Sequence, residues 1–371
     1  LNLPWIGWAK AKGVAASADF TMARKGAKTE LADLEISGKG FGAAGSLTVD
    51  DDGLAKARLT GVAFNPGDNI SVAIDRSRGG YAIDVKGDRL DARFLIDEFG
   101  SALPGSGASG SSGGGSSVKV DAEIAEAAGF HGEVLTGLRF AYADSTSQVP
   151  GIRISATTPQ GARATLVDAS AGGTRKVEVK ADDAGAVLRF LDVYDKVDGG
   201  RAALSLASSS GPLAGRLEIL DFALIDEARL QSMVASSPDG RERSLNEALR
   251  RDVDVSRARF TRGSARVEMG ADYMRIEDGV VSGPSVGSTF AGTVFDADGN
   301  MSISGTFLPA YGINRIFGEI PLLGQVLGNG RGGGLLGVTY KLSGPAKSPT
   351  LQVNPLSIVA PGIFRSIFEY R

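Results

Sequence analysis

A chain of 371 residues carrying 40 lysines and arginines against 43 acidic residues, net charge −3, has the length for two or three domains or one elongated repeat structure. The near balance of charge, with no basic block of five or more residues, argues against a nucleic-acid partner, and the absence of cysteine removes disulfides, thiolate nucleophiles and cysteine-bound metals. Glycine, at 52 residues, is roughly twice as frequent as usual, and aromatic residues make up only 7%; helices avoid so much glycine, whereas sheets with many tight turns tolerate it.

The opening LNLPWIGWAKAKG has neither an initiator methionine nor the charged head and apolar run of a signal peptide. It reads as the inside of a strand-rich region, so the expectation is the C-terminal portion of a longer protein. No stretch reaches about 18 uninterrupted apolar residues, the length that would span a bilayer. Residues 1–103 form a first strand module. Within it Ile70, Val72 and Ile74 alternate with polar neighbours, SRGG at 77–80 turns the chain, and Tyr81, Ile83 and Val85 resume the alternation.

Residues 104–117, PGSGASGSSGGGSS, contain nothing to bury and make a glycine-serine linker, or a long loop within one sheet. A second module, 118–371, repeats the period of two at Leu138, Phe140 and Tyr142, at Ala202, Leu204 and Leu206, and at Met301, Ile303 and Phe307. The alternation returns once more at Leu336, Val338, Tyr340 and Leu342. With DDDG at 50–53 and DADGN at 296–300 as hairpin turns, the pattern predicts a mainly β chain, an antiparallel meander with strands about every 8–12 residues. That spacing suits sandwiches, barrels and extended coiled sheets alike.

Helices are few. Asp182 and Asp183 start one whose apolar stripe is Val187, Leu188, Leu191 and Tyr194, with Gly199 as its stop. Residues 226–253 read as a helical pair, 311–328 as two short helices broken at Pro321, and 361–371 as a last short helix opened by Pro361. That last helix carries Ile363, Phe364, Ile367 and Phe368 on roughly one side.

No catalytic constellation emerges. The single histidine, His131, sits beside a glycine just before a strand, and reads as a turn or surface residue rather than a catalytic base. The DDDG and DADGN turns lack the glycine and glutamate spacing of a calcium loop. GNGRGGG at 328–334 is followed by a strand rather than a helix and has no Lys-Ser/Thr pair, so it is no phosphate loop. Carboxylate pairs such as Asp182/Asp183 and Glu218/Asp221 are expected by chance among 43 acidic residues. No cofactor and no metal is expected.

The closing residues 311–368 resemble the end of the AsmA-like family, in its YhdP-like branch. The elements that carry the resemblance are IPLLG at Ile320–Gly324, the glycine-rich bend, GVTYKLSGP at Gly337–Pro345, VNPLS at Val353–Ser357 and APG at Ala360–Gly362. ISGKGFGAAGSLTVDDDGLAKARL and GGYAIDVKGDRLDARFLIDEF resemble the family's repeating strand modules, whereas the insert at 226–253 matches nothing in it. The resemblance implies a long periplasmic protein of Gram-negative bacteria, held in the inner membrane by an N-terminal helix outside this chain. It implies a β sheet curled into an elongated groove, with a few short helices at its C-terminal end. Its activity would be the non-enzymatic passage of phospholipid between the inner and outer membranes.

On that expectation the groove is lined by Ile70, Val72, Ile74, Tyr81, Ile83, Val85, Leu204, Leu206, Met301, Ile303, Phe307, Leu336, Val338, Tyr340 and Leu342. Prolines 345, 349, 355 and 361 end strand pairing because they lack the backbone donor a ladder needs. The final helix, through Ile363, Phe364, Ile367 and Phe368, either contacts the outer membrane or a protein near it, or plugs the last strands. Two rival classes stay open: a structural envelope scaffold with a closed, lipid-free β core, and a glycan-acting enzyme with two carboxylates about 5–10 Å apart.

Overall fold

An alternating chain buries its apolar side chains only if neighbouring strands meet in a register that puts them all on one face. The computed structural model describes residues 2–3, 8–10, 12–77, 79–100, 117–144, 151–235, 255–284, 286–309 and 338–354. Over these residues the chain is mainly β, an antiparallel meander with a few short helices. It divides into two compact units, residues 1–195 and 196–371.

The first unit starts with a two-residue pairing of β1 (Asn2–Leu3) and β2 (Trp8–Ala9). Six antiparallel strands follow: β3 (Ala16–Lys25), β4 (Lys28–Gly38), β5 (Phe41–Asp50), β6 (Gly53–Ala63), β7 (Asn69–Ser77) and β8 (Gly80–Asp91). A helix, α1 (Arg93–Gly100), comes next. The ladder then resumes with β9 (Ser117–Ala128), β10 (Val134–Ala143), β11 (Gly151–Thr157), β12 (Arg163–Ala171) and β13 (Thr174–Ala181), and closes on α2 (Ala184–Phe190).

The junction between β8 and β9 departs from the meander. These strands run parallel, paired from Gly80↔Ser117 to Asp91↔Ala128. A parallel pair needs a crossover rather than a hairpin, and α1 lies in it. The glycine-serine stretch therefore joins two strands that are hydrogen-bonded to each other, and Ser117 already belongs to β9.

The second unit is a ladder of β14 (Val197–Ser208), β15 (Leu213–Ile225), β16 (Arg257–Met269), β17 (Met274–Ser282), β18 (Val286–Phe295), β19 (Asn300–Pro309), β20 (Val338–Pro345) and β21 (Thr350–Asn354), antiparallel throughout. One helix, α3 (Ala228–Ala235), follows β15. It accounts for the start of the predicted helical pair; residues 236–254 lie outside the described ones, as do the expected helices at 311–328 and 361–371.

The helix expected to run to Gly199 is shorter. α2 ends at Phe190, and Gly199 sits inside β14 with φ 64°. Asp183 caps α2 as the sequence suggests, its Oδ1 accepting from Ala186 N at 2.9 Å. α1 was not anticipated: RFLIDEF is seven residues between a strand and the glycine-serine stretch, too short for a helical period to declare itself.

Four strands carry the same device. Asp33, Gly61, Gly137 and Asp278 have φ of 51°, 57°, 59° and 49°, each beside a register shift in the ladder. Each is the third residue of a four-residue step whose first and last members share the apolar face: Leu31 to Leu34, Leu59 to Val62, Leu135 to Leu138, and Ile276 to Gly279. The extra residue re-phases the alternation, so the strand bends while its apolar set stays on one side. Only glycine and the small polar residues adopt this left-handed conformation readily.

Asp33 is exposed, and replacing it with glycine should leave stability almost unchanged. Asp33→Val should cost about 1–2 kcal/mol, because a β-branched side chain resists positive φ. Urea unfolding of the two variants checks this; equal costs would show that the backbone conformation there is not what matters.

Candidate functional site

Following directly opposed residues across the first unit traces one uncharged row. It runs Leu34, Gly45, Leu59, Val72, Val85, Ala122, Phe140, Ile154, Leu166 and Val179, crossing every strand from β4 to β13. At ~4.8 Å per strand those nine steps cover roughly 43 Å. A parallel row nearer the β7–β8 hairpin runs Met22, Leu31, Leu47, Ala57, Ile74, Ile83, Val120, Tyr142 and Ile152, and then meets Asp168.

Most of these side chains are only half-buried. Phe20 and Met22 on β3 are 51% and 68% exposed. Asp168 is neutralised in place: Arg175 Nε and Nη2 donate to its two carboxylate oxygens at 2.9 and 2.6 Å. That pairing raises the Arg175 guanidinium above its ordinary value.

One end of this face is covered. Val62, Ile70, Leu90 and Ile124 form a buried cluster against which Phe94 and Leu95 of α1 pack, and the Phe94 ring lies 5.4 Å from that of Phe64. Ala92, Ala127, Leu135, Ala156 and Phe190 of α2 form a neighbouring one. Asp91 starts α1, accepting from the Arg93 backbone N–H at 3.2 Å and from its guanidinium, which holds the carboxyl below its usual range. Asp68 ties the β6–β7 turn to the end of β8, accepting from the backbone N–H groups of Phe64, Asn65 and Asp91. Burial nonetheless pushes its carboxyl up.

The second unit repeats the arrangement. Leu206, Gly215, Val267, Ile276, Gly292, Ile303, Leu342 and Leu351 are directly opposed in turn across all eight strands, β14 to β21. Here more of the face is packed: Leu206 is 2% exposed, Phe307 2% and Val338 0%, while Leu204, Met301, Leu342 and Leu351 are half-buried. Large side chains lie over glycines. A Cβ on Gly279 would stand 2.5 Å from the Phe290 ring, and one on Gly305 2.7 Å from the Tyr340 ring. The buried Tyr340 hydroxyl finds Ser288 Oγ at 3.0 Å, and burial raises its ionisation above the ordinary range.

The sequence-derived positions fall into two groups. Ile70, Val72, Ile74, Tyr81, Ile83 and Val85 share the first unit's apolar face; Leu204, Leu206, Met301, Ile303, Phe307, Val338, Tyr340 and Leu342 share the second's. Leu336, Ile363, Phe364, Ile367 and Phe368 lie outside the described residues. Sequence reasoning missed Leu31, Leu34, Leu59 and Val62, because the steps around Asp33 and Gly61 break strict alternation. Apolar residues three apart around a central Asp or Gly are the signal that finds them.

His131 and the carboxylate pairs have structural roles. His131 Nε2 lies 2.8 Å from Asp192 Oδ1, and Arg189 Nε donates to Glu133 Oε1 at 2.6 Å. Together they fasten the end of α2 to the β9–β10 turn. Asp182 accepts from Arg163 N, while Glu218 and Asp221 pair with Arg262 and Arg201. Asp296 accepts from Asp298 N and Asn300 N, closing its hairpin turn.

A depression of about 570 Å³ crosses β6 to β10 on the first unit, lined by Thr60, Ser71, Lys86, Glu123 and Arg139 among others. None of its polar side chains is buried. Among the described residues no group of acids and histidine is placed to hold a metal, and no helix is long and apolar enough to cross a membrane. No family model, curated protein or solved structure matches the chain.

Removing the α1 anchor tests how the covered end is held. Phe94→Ala should destabilise the first unit by about 2–3 kcal/mol, the range for a large-to-small change at a partly buried aromatic. Chemical denaturation followed by far-ultraviolet circular dichroism reads it; a loss under about 0.5 kcal/mol would mean that α1 rests on the sheet without supporting it.

Proposed function

We propose that the chain conducts phospholipid along the apolar face of its first unit, without catalysis, between the inner and outer membranes. The carrying observation is the half-buried row from Leu34 to Val179, which crosses ten strands without a charge. Apolar patches of this extent are rare on soluble surfaces unless something binds them. Each methylene withdrawn from water is worth about 0.8 kcal/mol, so a continuous apolar surface lowers the barrier to lipid transfer with no chemistry. The resemblance of residues 311–368 to the AsmA-like family supports the same reading and a periplasmic setting.

The two ion-paired residues Asp168 and Arg175, at one end of the face, fit a boundary between acyl chains and polar surroundings. The buried second face, with Val338 at 0% and Phe307 at 2%, favours a different role for that unit: a packed, lipid-free scaffold. The units are therefore assigned separately, conduction to the first and support to the second.

Native mass spectrometry with lipid extraction, on protein purified from a Gram-negative host in mild detergent, should show co-purifying phospholipid. Ile83→Asp, on the half-buried face, should abolish it while the dichroism of the fold persists. Ile303→Asp, 8% exposed in the native chain, should instead unfold the second unit. A folded, lipid-free wild-type protein would replace conduction with the scaffold reading for both units.

A further inference from the structure

In the first unit Arg58–Asp75 and Lys119–Asp121 are exposed ion pairs on the polar face. Arg76, by contrast, stands on the apolar side and pairs with Asp50. It follows Ile70, Val72 and Ile74 in alternation along β7 and is directly opposed to Tyr81 on β8, so it carries that face toward the β7–β8 turn. The Arg76 side chain is 18% exposed and that of Asp50 17%. Taking a charged pair out of water is costly, and apolar residues of similar size often serve stability as well. A pair kept on this face therefore points to a use.

Asp50 does not saturate the guanidinium. Arg76 Nη2 donates to Asp50 Oδ2, while Asp50 Oδ1 accepts from Asp52 N at 3.0 Å within the DDDG turn. Arg76 Nη1 is buried and makes no hydrogen bond of acceptable geometry. Asp50, and after it Tyr81, hold the guanidinium above its ordinary value, and Arg76 holds the Asp50 carboxyl below its own. Both groups are charged, so the remaining donor is cationic, the kind that suffers most when left unpaired.

The same border of the face carries two more guanidiniums. Arg24 lies in line with Phe20 and Met22, and Arg175 with Val177 and Val179, each two residues from a hairpin turn as Arg76 is. α1 and α2 stand at the opposite ends of the strands, after β8 and β13. Arg175 gives Nε and Nη2 to Asp168, and Arg24 is exposed, so Arg76 is the one of the three that joins burial to a spare donor.

We propose that Arg76 binds the phosphate of a phospholipid lying along the strands, its headgroup on the turn border and its acyl chains toward α1 and α2. This rests on the conduction reading above. Nη1 donates to a phosphate oxygen while Asp50 keeps the guanidinium in place; a planar guanidinium suits that anion. The half-buried Tyr81 ring turns outward to admit the phosphate, a change of one rotamer.

The test uses the full chain with phosphatidylglycerol and a diacylglycerol bearing the same fluorescent acyl chain, each supplied from mild detergent. Wild type should prefer the phospholipid. Arg76→Met should lose about tenfold in affinity for it and keep its affinity for the diacylglycerol. Asp50→Asn, which releases the guanidinium, should bind the phospholipid more tightly. Circular dichroism checks that both variants fold. Weakening of both lipids alike by both variants would make the pair a structural clasp and overturn the proposal. Competition by micromolar inorganic phosphate, lost in Arg76→Met, would make the site one for the free anion and overturn it too. Equal affinity of wild type and Arg76→Met for the phospholipid would sink the phosphate contact alone, whereas uptake of neither lipid by wild type would sink the conduction reading and this proposal with it.

Discussion

The backbone ladder sets everything else in this protein. Each strand offers its N–H and C=O groups sideways and its side chains alternately up and down, so pairing and facing are fixed together. A shift of one residue anywhere would send a whole strand's apolar set to the other side. Opposed residues as far apart in sequence as Leu34 and Val179 lie in one uncharged row because every intervening register holds. The left-handed steps at Asp33, Gly61, Gly137 and Asp278 belong to the same constraint: they let strands bend and twist without losing phase.

The two units use one pattern for different ends. In the first, most of the row is half-buried, small residues such as Gly45 and Ala122 sit between larger ones, and among the described residues helices cover one end. In the second, aromatic rings lie over glycines, Phe290 on Gly279 and Tyr340 on Gly305, and the row is buried at Leu206, Val267, Ile276 and Ile303 while Leu342 and Leu351 stay half-buried. Complementing a missing side chain with an aromatic neighbour fills the sheet surface to interior density. The proposed uptake of an apolar ligand is accordingly assigned to the unit whose face is less filled.

Polar groups are kept off the faces or satisfied on them. Asp168 appears within the lower row but is gripped by both ends of the Arg175 guanidinium, and the Tyr340 hydroxyl is met by Ser288. On the opposite faces ion pairs such as Arg58–Asp75 and Arg262–Glu218 are exposed and worth little individually. They keep that side wet, and so preserve the asymmetry between the faces.

Much of this was legible in the sequence, because period two is a local property. Ile70, Val72 and Ile74, or Leu204 and Leu206, announce a strand and its apolar side without any partner. The turns at 50–53 and 296–300 announce themselves by their glycines and aspartates. What the residues alone do not carry is which strand meets which: that β8 and β9 run parallel across a glycine-serine stretch, that Gly199 lies in a strand rather than at a helix end, and that RFLIDEF is a helix clamped over Val62 and Ile70. The sequence by itself determined the strands and their two-sidedness. The tertiary structure alone decided which faces are filled and which stay open, since burial depends on residues distant along the chain, brought opposite one another only by long-range backbone pairing.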